Sequence, residues 1–399
     1  MILEFGANNF FSFKEGFQLS FLLSGKCPSH VSNGCDVAGV ECVKGANASG
    51  KTNVLRVLSF LHFFISSSFK NIEPSAPIPI KTFMNNEESS FFYIRFTTDE
   101  KKNEKDSLSI FYYELEIKNG MVESELLKKN NDKGKILFKR INKKFVKIDN
   151  EFKDVKAISL ERENASVISI AHQYKIKSLD PIFHVFTNCY SNVTDAGFID
   201  KTADLSFVTK LYKEDNITFE KVKTHLAKAD TGVEDIEIVE MPNADGSVSF
   251  YPLFIHKTLP KREVKVPFLH ESRGTQRLYL TLWLYYFTLR NGGIMILDEF
   301  DINLHPDLLE PLLNLFLKEE SNPKHAQLLF ATHNNRVMDI LGKYRVHLIN
   351  KKNNASYIYR LDELPGEILK GEKGFSIRND RGISRIYEER KIGGVPQFV

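Results

Sequence analysis

Hydrophobic and polar residues first alternate along the chain as in β-strands and then recur at helical spacing around one glycine-rich stretch. Alternation over residues 2–5 and 17–21 predicts two strands with a turn at Glu15-Gly16. A short apolar run at residues 37–43 leads into the sequence GANASGKT, residues 45–52. Apolar residues then recur three and four positions apart, which predicts an amphipathic helix. The order is therefore strand, glycine-rich loop, helix.

The middle of the chain predicts an antiparallel sheet and a mixed segment behind it. Short alternating runs at residues 91–97, 108–117 and 136–141 are separated by polar loops, and the charged run 100–106 is typical of a solvent-exposed loop. Residues 164–228 have a helical, polar pattern, and residues 232–268 return to strands. This segment predicts a large α+β insertion.

From residue 271 onward, helices and strands alternate. The predicted elements are a helix at 278–289, a strand at Ile294–Leu297, a helix at 308–317, a strand at 328–331, a helix at Arg336–Leu341 and a strand at 345–349. Such alternation indicates a parallel sheet with crossover helices, hence an α/β fold. We expect residues 1–160 and 269–399 to form one domain in two pieces, with a largely helical insertion at residues 161–268 between them.

The glycine-rich stretch matches the Walker A pattern, Gly45-x4-Gly50-Lys51-Thr52. Glycines let the backbone turn its N–H groups toward phosphates, and the helix that follows presents the positive end of its dipole. Lysine supplies a charge for the β- and γ-phosphates, and threonine supplies a hydroxyl for Mg²⁺. An unrelated glycine-rich turn is disfavoured by the flanking strand and helix. The predicted residues for ATP and Mg²⁺ in this loop are Gly45, Asn47, Ser49, Gly50, Lys51, Thr52 and Asn53.

An acidic pair, Asp298-Glu299, closes the apolar strand Ile294–Leu297. An aspartate at this position is typical of Walker B, where it holds Mg²⁺ through the metal's water shell, and the adjacent glutamate can polarise water for attack on the γ-phosphorus. The alternative is the solvated start of a loop. Because the pair follows a Walker A motif, we predict catalytic ATP hydrolysis to ADP and phosphate.

The next predicted strand, residues 328–331, ends at Thr332-His333. Histidine at this point could contact the γ-phosphate and respond to its presence. A lone histidine is more often structural, but its place after a strand next to Walker B favours the functional interpretation. His333 is therefore predicted to act with Lys51 and Glu299 in catalysis.

Together these motifs resemble the head of ABC/SMC-type ATPases, whose fold combines a mixed sheet, flanking helices and an antiparallel β-subdomain. The resemblance implies a D-loop at Asp301, a switch role for His333 and a signature motif before Walker B. Residues 271–277, ESRGTQR, lie there and depart from the usual LSGGQ or LSSGE, although Ser272 and Gly274 remain. In that family these two groups bind the γ-phosphate held by another protomer, which implies a homodimer or higher oligomer through an ATP sandwich. An ordinary helix cap is the alternative.

The match is closer to the overcoming-lysogenisation-like, abortive-infection branch, which includes ATPases of PARIS, Septu and retron defence systems. The matching segments are NFFSF at 9–13, ESRGT at 271–275, DEFDINLHP at 298–306, IRNDR at 377–381, Tyr387 and GGVP at 393–396. This resemblance implies a nucleotide-gated regulator of a toxic, nuclease-like effector, triggered by a phage protein or nucleic acid. The sequence ends without room for a C-terminal TOPRIM nuclease, so a separate effector polypeptide is expected.

Composition restricts the alternatives. A net charge of +3 excludes a polycation that binds nucleic acid by bulk charge. The four cysteines form no CxxC pair, the N-terminus lacks a signal peptide pattern, and the apolar runs at 54–65 and 278–289 are shorter than the ~20 residues of a membrane span. We therefore expect a cytoplasmic protein without membrane contact.

Some features leave more than one interpretation. The basic residues Lys139-Arg140, Lys143-Lys144 and Lys147 fit a nucleic-acid contact, but a solvated strand face is favoured. Gln173 is a Q-loop candidate by residue type alone. An SMC/RecF-like DNA-binding ATPase of DNA repair is the alternative function, and a transporter ATPase subunit is disfavoured by the long segment 53–270.

Overall fold

The computed structural model describes residues 1–98, 109–130, 134–200, 203–229, 232–258, 262–302, 304–364, 377 and 382–395. The charged run at 100–106, Asn303, residues 378–381 and Pro396 from the sequence motifs lie outside the described residues. Two larger sheets, a three-stranded sheet and a two-stranded hairpin are connected by ten α-helices in the described part of the chain.

The strands are β1 Ile2–Asn8, β2 Phe17–Ser20, β3 Val40–Gly45, β4 Ser90–Thr97, β5 Ile110–Lys118, β6 Met121–Lys129, β7 Lys135–Ile141, β8 Lys144–Ile148, β9 Cys189–Ser191, β10 Val193–Thr194, β11 Gly197–Phe198, β12 Asp235–Pro242, β13 Val248–Thr258, β14 Arg262–Pro267, β15 Ile294–Leu297, β16 Gln327–Ala331, β17 Val346–Lys352 and β18 Ala355–Arg360. The helices are α1 Ser29–Ser32, α2 Lys51–Asn71, α3 Val167–Gln173, α4 Asp180–Thr187, α5 Leu205–Glu214, α6 Asn216–Lys228, α7 Arg273–Asn291, α8 Pro306–Leu317, α9 Arg336–Leu341 and α10 Ile383–Glu388.

The central sheet has the strand order β18-β17-β3-β16-β15-β9 and is parallel except for β18. Its strands are apolar runs because both faces are covered, and successive side chains point to opposite faces. In β16, Leu329 and Ala331 pack in the cluster that contains α2, whereas Leu328 and Phe330 pack in the cluster that contains α7 and α8. The predicted parallel sheet with crossover helices is confirmed.

The second large sheet is antiparallel, with the order β2-β1-β4-β5-β6-β7-β8. Helix α2 shares a hydrophobic core with this sheet and one face of the central sheet. The sequence predicted four strands close to β1, β2, β4 and β7, and most of β5. Strands β6 and β8 were missed because their many lysines and glutamates obscure the alternation.

Residues 164–228 are helical in α3–α6, as the pattern predicted, but they also contain β9, which pairs with β15 at the edge of the central sheet. A strand of three residues carries too little periodicity to be recognised in a sequence. Strands β12–β14 form a separate antiparallel sheet that packs against α5. Within the described part of the chain, no helix is both long enough and apolar enough to cross a membrane.

Candidate nucleotide-binding site

The glycine-rich loop connects β3 to α2 in a conformation that requires its two outer glycines. Gly50, the N-cap of α2, has a φ of 115°, which L-residues with a side chain rarely adopt. A Cβ on Gly50 would lie 2.7 Å from the Ser356 hydroxyl and 2.8 Å from the Ser12 hydroxyl. A Cβ on Gly45 would lie 2.6 Å from the Ile349 carbonyl oxygen. Neighbouring atoms therefore lie so close to the loop backbone at Gly45 and Gly50 that neither position has room for a side chain.

Lys51 begins α2 and folds back over the loop. Its ammonium group donates hydrogen bonds to the carbonyl oxygens of Gly45 and Ala46, both at 3.0 Å. An ammonium has three N–H donors, so one remains for a ligand. Burial lowers the pKa of Lys51, and the carboxylates of Asp298 and Glu299 oppose this shift. The positive charge of Lys51 thus lies in the field of the acidic pair at the end of β15.

Thr52 and Asp298 meet across the site. The Thr52 hydroxyl donates to Asp298 Oδ2 at 2.5 Å, although the residues are far apart in sequence. Asp298 is almost fully buried, and its other carboxylate oxygen accepts the backbone N–H of Glu299 at 3.0 Å. Glu299 is partly exposed and has a φ of 51°, an uncommon backbone conformation for a side chain other than glycine. The acidic pair is thus held at the edge of the sheet where the glycine-rich loop begins.

Asn192 positions the main chain of Asp298. Its side-chain amide donates to the Asp298 carbonyl oxygen at 3.0 Å, and its side-chain oxygen accepts the Asp298 N–H at 2.8 Å. Asn192 follows β9 directly and is buried. Sequence reasoning missed this residue because its partner lies in a distant segment, and only the pairing of β9 with β15 brings the two together.

The strand next to Walker B carries the predicted switch residues. Thr332, directly after β16, donates its hydroxyl to Asp301 Oδ1 at 2.6 Å, which links the loop after β15 to the next strand. The Lys44 ammonium donates to the His333 carbonyl oxygen at 2.9 Å. Burial, followed by the charges of Lys51 and Lys44, lowers the pKa of His333. Its imidazole is therefore neutral near pH 7, with one N–H donor and one acceptor nitrogen.

The remaining predicted loop residues differ in their surroundings. The side chain of Asn53 donates to the Ser12 hydroxyl at 2.8 Å and accepts from Arg56 at 2.6 Å, so it holds the N-terminal segment against α2. Asn47 is exposed at the tip of the loop. The Ser49 hydroxyl is buried without a hydrogen-bond partner among the described residues.

The residues of this site fit a magnesium nucleotide. An unpartnered buried hydroxyl at Ser49, a spare N–H on Lys51 and the cradle of Gly45 and Gly50 match the needs of phosphate oxygens. Threonine and aspartate oxygens are ligands that Mg²⁺ accepts, usually together with waters and phosphates. No group of three or more His, Cys, Asp or Glu side chains that could hold a metal occurs in the described residues.

The predicted signature segment caps α7. The Ser272 hydroxyl accepts the N–H of Thr275 at 3.1 Å, and Gly274 lies in the first helical turn. Ser272 is exposed. Within the described ranges, no hydrogen bond joins Ser272 or Gly274 to residues 45–53. Glu271 lies just before this cap, and its side chain is 5% exposed and pairs with His256 of β13 at 2.6 Å. The three-stranded sheet is thus tied to the signature segment.

Ser356, which was not predicted, also contacts the glycine-rich loop, and two predicted residues, Tyr387 and Gln173, lie elsewhere in the structure. Ser356 of β18 donates its hydroxyl to the Ser49 carbonyl oxygen at 2.5 Å, and its N–H donates to the Ser12 carbonyl oxygen at 2.7 Å. Tyr387, from the C-terminal motif, donates to the Gly394 carbonyl oxygen at 2.6 Å. Gln173 ends α3 and is exposed. No local sequence pattern indicates Ser356, because its contacts depend on the pairing of β18 with β17.

Two of the five residues in the basic cluster are paired with carboxylates. Arg140 is fully buried and pairs with the buried carboxylate of Glu125 at 3.4 Å. Lys143 lies near Glu161 and Glu163, which neutralise its charge. The solvated strand face is therefore supported for the lysines, whereas Arg140 belongs to the core.

The fold and the site define a P-loop protein of the α/β class. A family model described as "AAA domain, putative AbiEii toxin, Type IV TA system" matches residues 42–339, more than half of the chain. The chain belongs to this AAA family. The predicted α/β fold, with a mixed sheet, flanking helices and a second, antiparallel sheet, is confirmed.

Similar solved structures include two SMC heads and a recombination mediator protein. The SMC head domain from Thermotoga maritima is 15% identical, covers 90% of this chain and 98% of its own, and has a TM-score of 0.42. An SMC head bound to the C-terminal winged-helix domain of ScpA is 13% identical, with coverages of 90% and 97% and a TM-score of 0.47. The recombination mediator protein RecF is 13% identical, with coverages of 90% and 98% and a TM-score of 0.32. No curated protein matches the sequence.

Proposed function

We propose that this protein binds and hydrolyses MgATP and that the nucleotide gates a toxic effector in defence against phage. The observation that carries the ATPase part is the contact of Thr52 with Asp298, next to Lys51 and Glu299. Two motifs more than two hundred residues apart in sequence meet in one buried site with the oxygen and nitrogen groups that phosphates and Mg²⁺ need.

Each side chain has a distinct proposed role. Lys51 binds β- and γ-phosphate oxygens through its free N–H, while Thr52 and Asp298 hold Mg²⁺, which would neutralise phosphate charge when bound. Glu299 accepts a proton from the attacking water. The neutral imidazole of His333 donates a hydrogen bond to the γ-phosphate. Asp301 supports this arrangement through Thr332, so the loop after β15 and the end of β16 respond together.

The signature segment supports a role for a second copy. Ser272 and Gly274 lie at the exposed N-terminus of α7, where a hydroxyl and the helix dipole favour an anion. We infer that this segment contacts the nucleotide of a second protomer, which gives an ATP-dependent homodimer. Residues 161–268 are the proposed insertion, and the pair Glu271–His256 would transmit closure of the dimer to it.

The family description supports the defence role, because it names a putative toxin of a type IV toxin–antitoxin system. We propose a separately encoded effector, a phage-derived trigger and a cytoplasmic location. An SMC- or RecF-like DNA-binding ATPase is the alternative. Arg140 and Lys143 of the basic cluster pair with carboxylates, which reduces the positive charge that this alternative would use.

The ATPase assignment is tested with Glu299→Gln. Loss of a general base reduces turnover by typically about 10²–10⁴-fold, so we expect steady-state hydrolysis to fall at least 100-fold while ATP binding, measured by filter retention, persists. Glu310→Gln is the matched control, because Glu310 is an exposed residue of α8, and it should retain wild-type turnover. Unchanged hydrolysis in Glu299→Gln would overturn the assignment.

The same variant separates the two biological roles. If the protein regulates an effector, affinity purification of Glu299→Gln with ATP from the native host should enrich one partner protein, and Lys51→Ala should not. If it is a DNA-binding ATPase, duplex DNA should stimulate wild-type hydrolysis several-fold. DNA stimulation without a protein partner would reject the regulator role but leave the ATPase assignment in place.

A further inference from the structure

Lys44 is a buried cation of β3, directly before the glycine-rich loop, and the proposed mechanism gives it no role. Only 2% of the residue is exposed, and burial lowers the pKa of its ammonium group. Among the described residues, no carboxylate lies within ion-pair distance of this ammonium group. Buried charges are usually paired, so the groups that surround Lys44 in place of a carboxylate indicate what it does.

Two neighbours of Lys44 connect the switch histidine to the C-terminal part of the chain. The Lys44 ammonium donates a hydrogen bond to the His333 carbonyl oxygen at 2.9 Å. It also lies 5.2 Å from the centroid of the Tyr387 ring in α10, which is within the distance at which an aromatic face attracts a cation. Lys44 therefore contacts both α10 and the main chain of His333.

Helix α10 also contacts the segment that follows His333. The Asn335 side chain donates to the Glu388 carboxylate at 2.8 Å. The Asp339 carboxylate of α9 accepts the N–H of Ser384 at 3.0 Å and also its hydroxyl. By contrast, the exposed imidazole of His333 makes no hydrogen bond to a described residue. The position of the imidazole therefore depends on the main chain of this segment, which α10 holds in place.

We propose that Lys44 is a positioning residue for His333 and that Tyr387 of α10 holds Lys44 in place. Docking of the C-terminal segment, residues 382–395, thus sets the position of the switch histidine. This proposal rests on the proposed ATPase function, in which His333 donates a hydrogen bond to the γ-phosphate. Lys44 and Tyr387 act on the γ-phosphate only through His333, so their loss should lower kcat by a larger factor than it raises KM.

The first test compares Lys44→Met, which keeps a side chain of similar length without the charge, with wild-type protein in steady-state ATP hydrolysis. We expect kcat to fall at least about tenfold, the loss expected for one hydrogen bond to a charged group, while KM changes by a smaller factor. Lys352→Met, at the exposed end of β17, is the matched control and should keep wild-type values. In a His333→Ala background, Lys44→Met should cause little further loss, whereas a residue that only supports the fold would cause the same loss as before.

Two substitutions of Tyr387 test the contribution of α10. Tyr387→Phe keeps the aromatic face and should retain kcat within about twofold, whereas Tyr387→Leu removes the face and should lower kcat at least about threefold. This pair gives an independent readout if Lys44→Met does not fold. The proposal is overturned if Lys44→Met turns over like wild type, if its effect persists in full without His333, or if Tyr387→Leu is no slower than Tyr387→Phe. Hydrolysis that Glu299→Gln does not reduce would instead reject the ATPase assignment itself.

Discussion

Replacing Asn192 with leucine tests how the Walker B strand is held in place. The Asn192 side chain pairs with both the N–H and the carbonyl oxygen of Asp298, at 2.8 and 3.0 Å. Leucine has a similar shape, so it leaves these two buried main-chain groups without partners and lets little water in. Each unsatisfied group costs about 1–3 kcal/mol, which gives a loss of about 2–6 kcal/mol in the free energy of unfolding.

Loss of the two Asn192 hydrogen bonds should also weaken binding of the magnesium–nucleotide complex. Asp298 is the partner of Thr52, so movement of its main chain misplaces both oxygens proposed for Mg²⁺. We expect Asn192→Leu to raise the Mg²⁺ concentration needed for half-maximal ATP binding at least tenfold, while weak ATP binding without Mg²⁺ changes little. A merely structural residue would lower stability without this selective change.

The assays are urea unfolding of the nucleotide-free protein and ATP binding across a Mg²⁺ titration. Asn188→Leu is the control, because this residue precedes β9 but its side chain is exposed and makes no hydrogen bond to a described residue. If Asn192→Leu unfolds at the wild-type urea concentration and needs no additional Mg²⁺, the assigned positioning role is wrong.

Three further predictions concern the glycine-rich loop, the buried His62 and the antiparallel sheet. Gly50→Ala forces a side chain into a φ of 115° and against two serine hydroxyls, so stability should fall by at least about 1–2 kcal/mol and ATP affinity should drop; an unchanged melting temperature and ATP dissociation constant would refute this. Burial lowers the pKa of His62 to about 4. The unfolded chain binds this proton below about pH 6.5, whereas the folded chain binds it only near pH 4. As the pH falls from about 6.5 to about 4, the free energy of unfolding of the wild type should therefore decrease by about 1.4 kcal/mol per pH unit relative to His62→Leu. Urea unfolding at each pH measures this difference. Arg140→Met leaves the Glu125 carboxylate buried and unpaired and should cost about 3–5 kcal/mol, whereas adding Glu125→Gln should recover part of the loss in a double-mutant cycle.

Local sequence patterns were sufficient to predict the main strands and helices around the glycine-rich loop. The apolar runs at β15 and β16 predicted strands because strands buried on both faces consist almost entirely of hydrophobic residues. The Walker A spacing predicted the loop and the start of α2, because the backbone conformation at Gly50 restricts which residue can occupy that position. Strands β6 and β8 were missed because charged side chains on their exposed face weaken the alternation.

Contacts between distant segments could not be predicted in the same way. Nothing near Asn192 in the sequence indicates that its amide would pair with Asp298, because the contact depends on the parallel pairing of β9 with β15. Arg140 had the appearance of a surface cation among lysines, yet the register of β7 against β6 places it opposite Glu125 in the core. Such interactions depend on tertiary register, which a single sequence does not encode in any local pattern.

The amino-acid sequence by itself determined the chemistry of this protein: a phosphate-binding loop, an acidic pair after a buried strand, and a histidine after the next one. These are local features, since each depends on residue types at fixed spacing within one turn or strand. The tertiary structure decided which of these groups meet. It placed Thr52 against Asp298 and Thr332 against Asp301, and it brought the Asn192 side chain to the main chain of Asp298. These contacts depend on packing, because the distances between segments far apart in sequence are set by how the sheets and helices pack together.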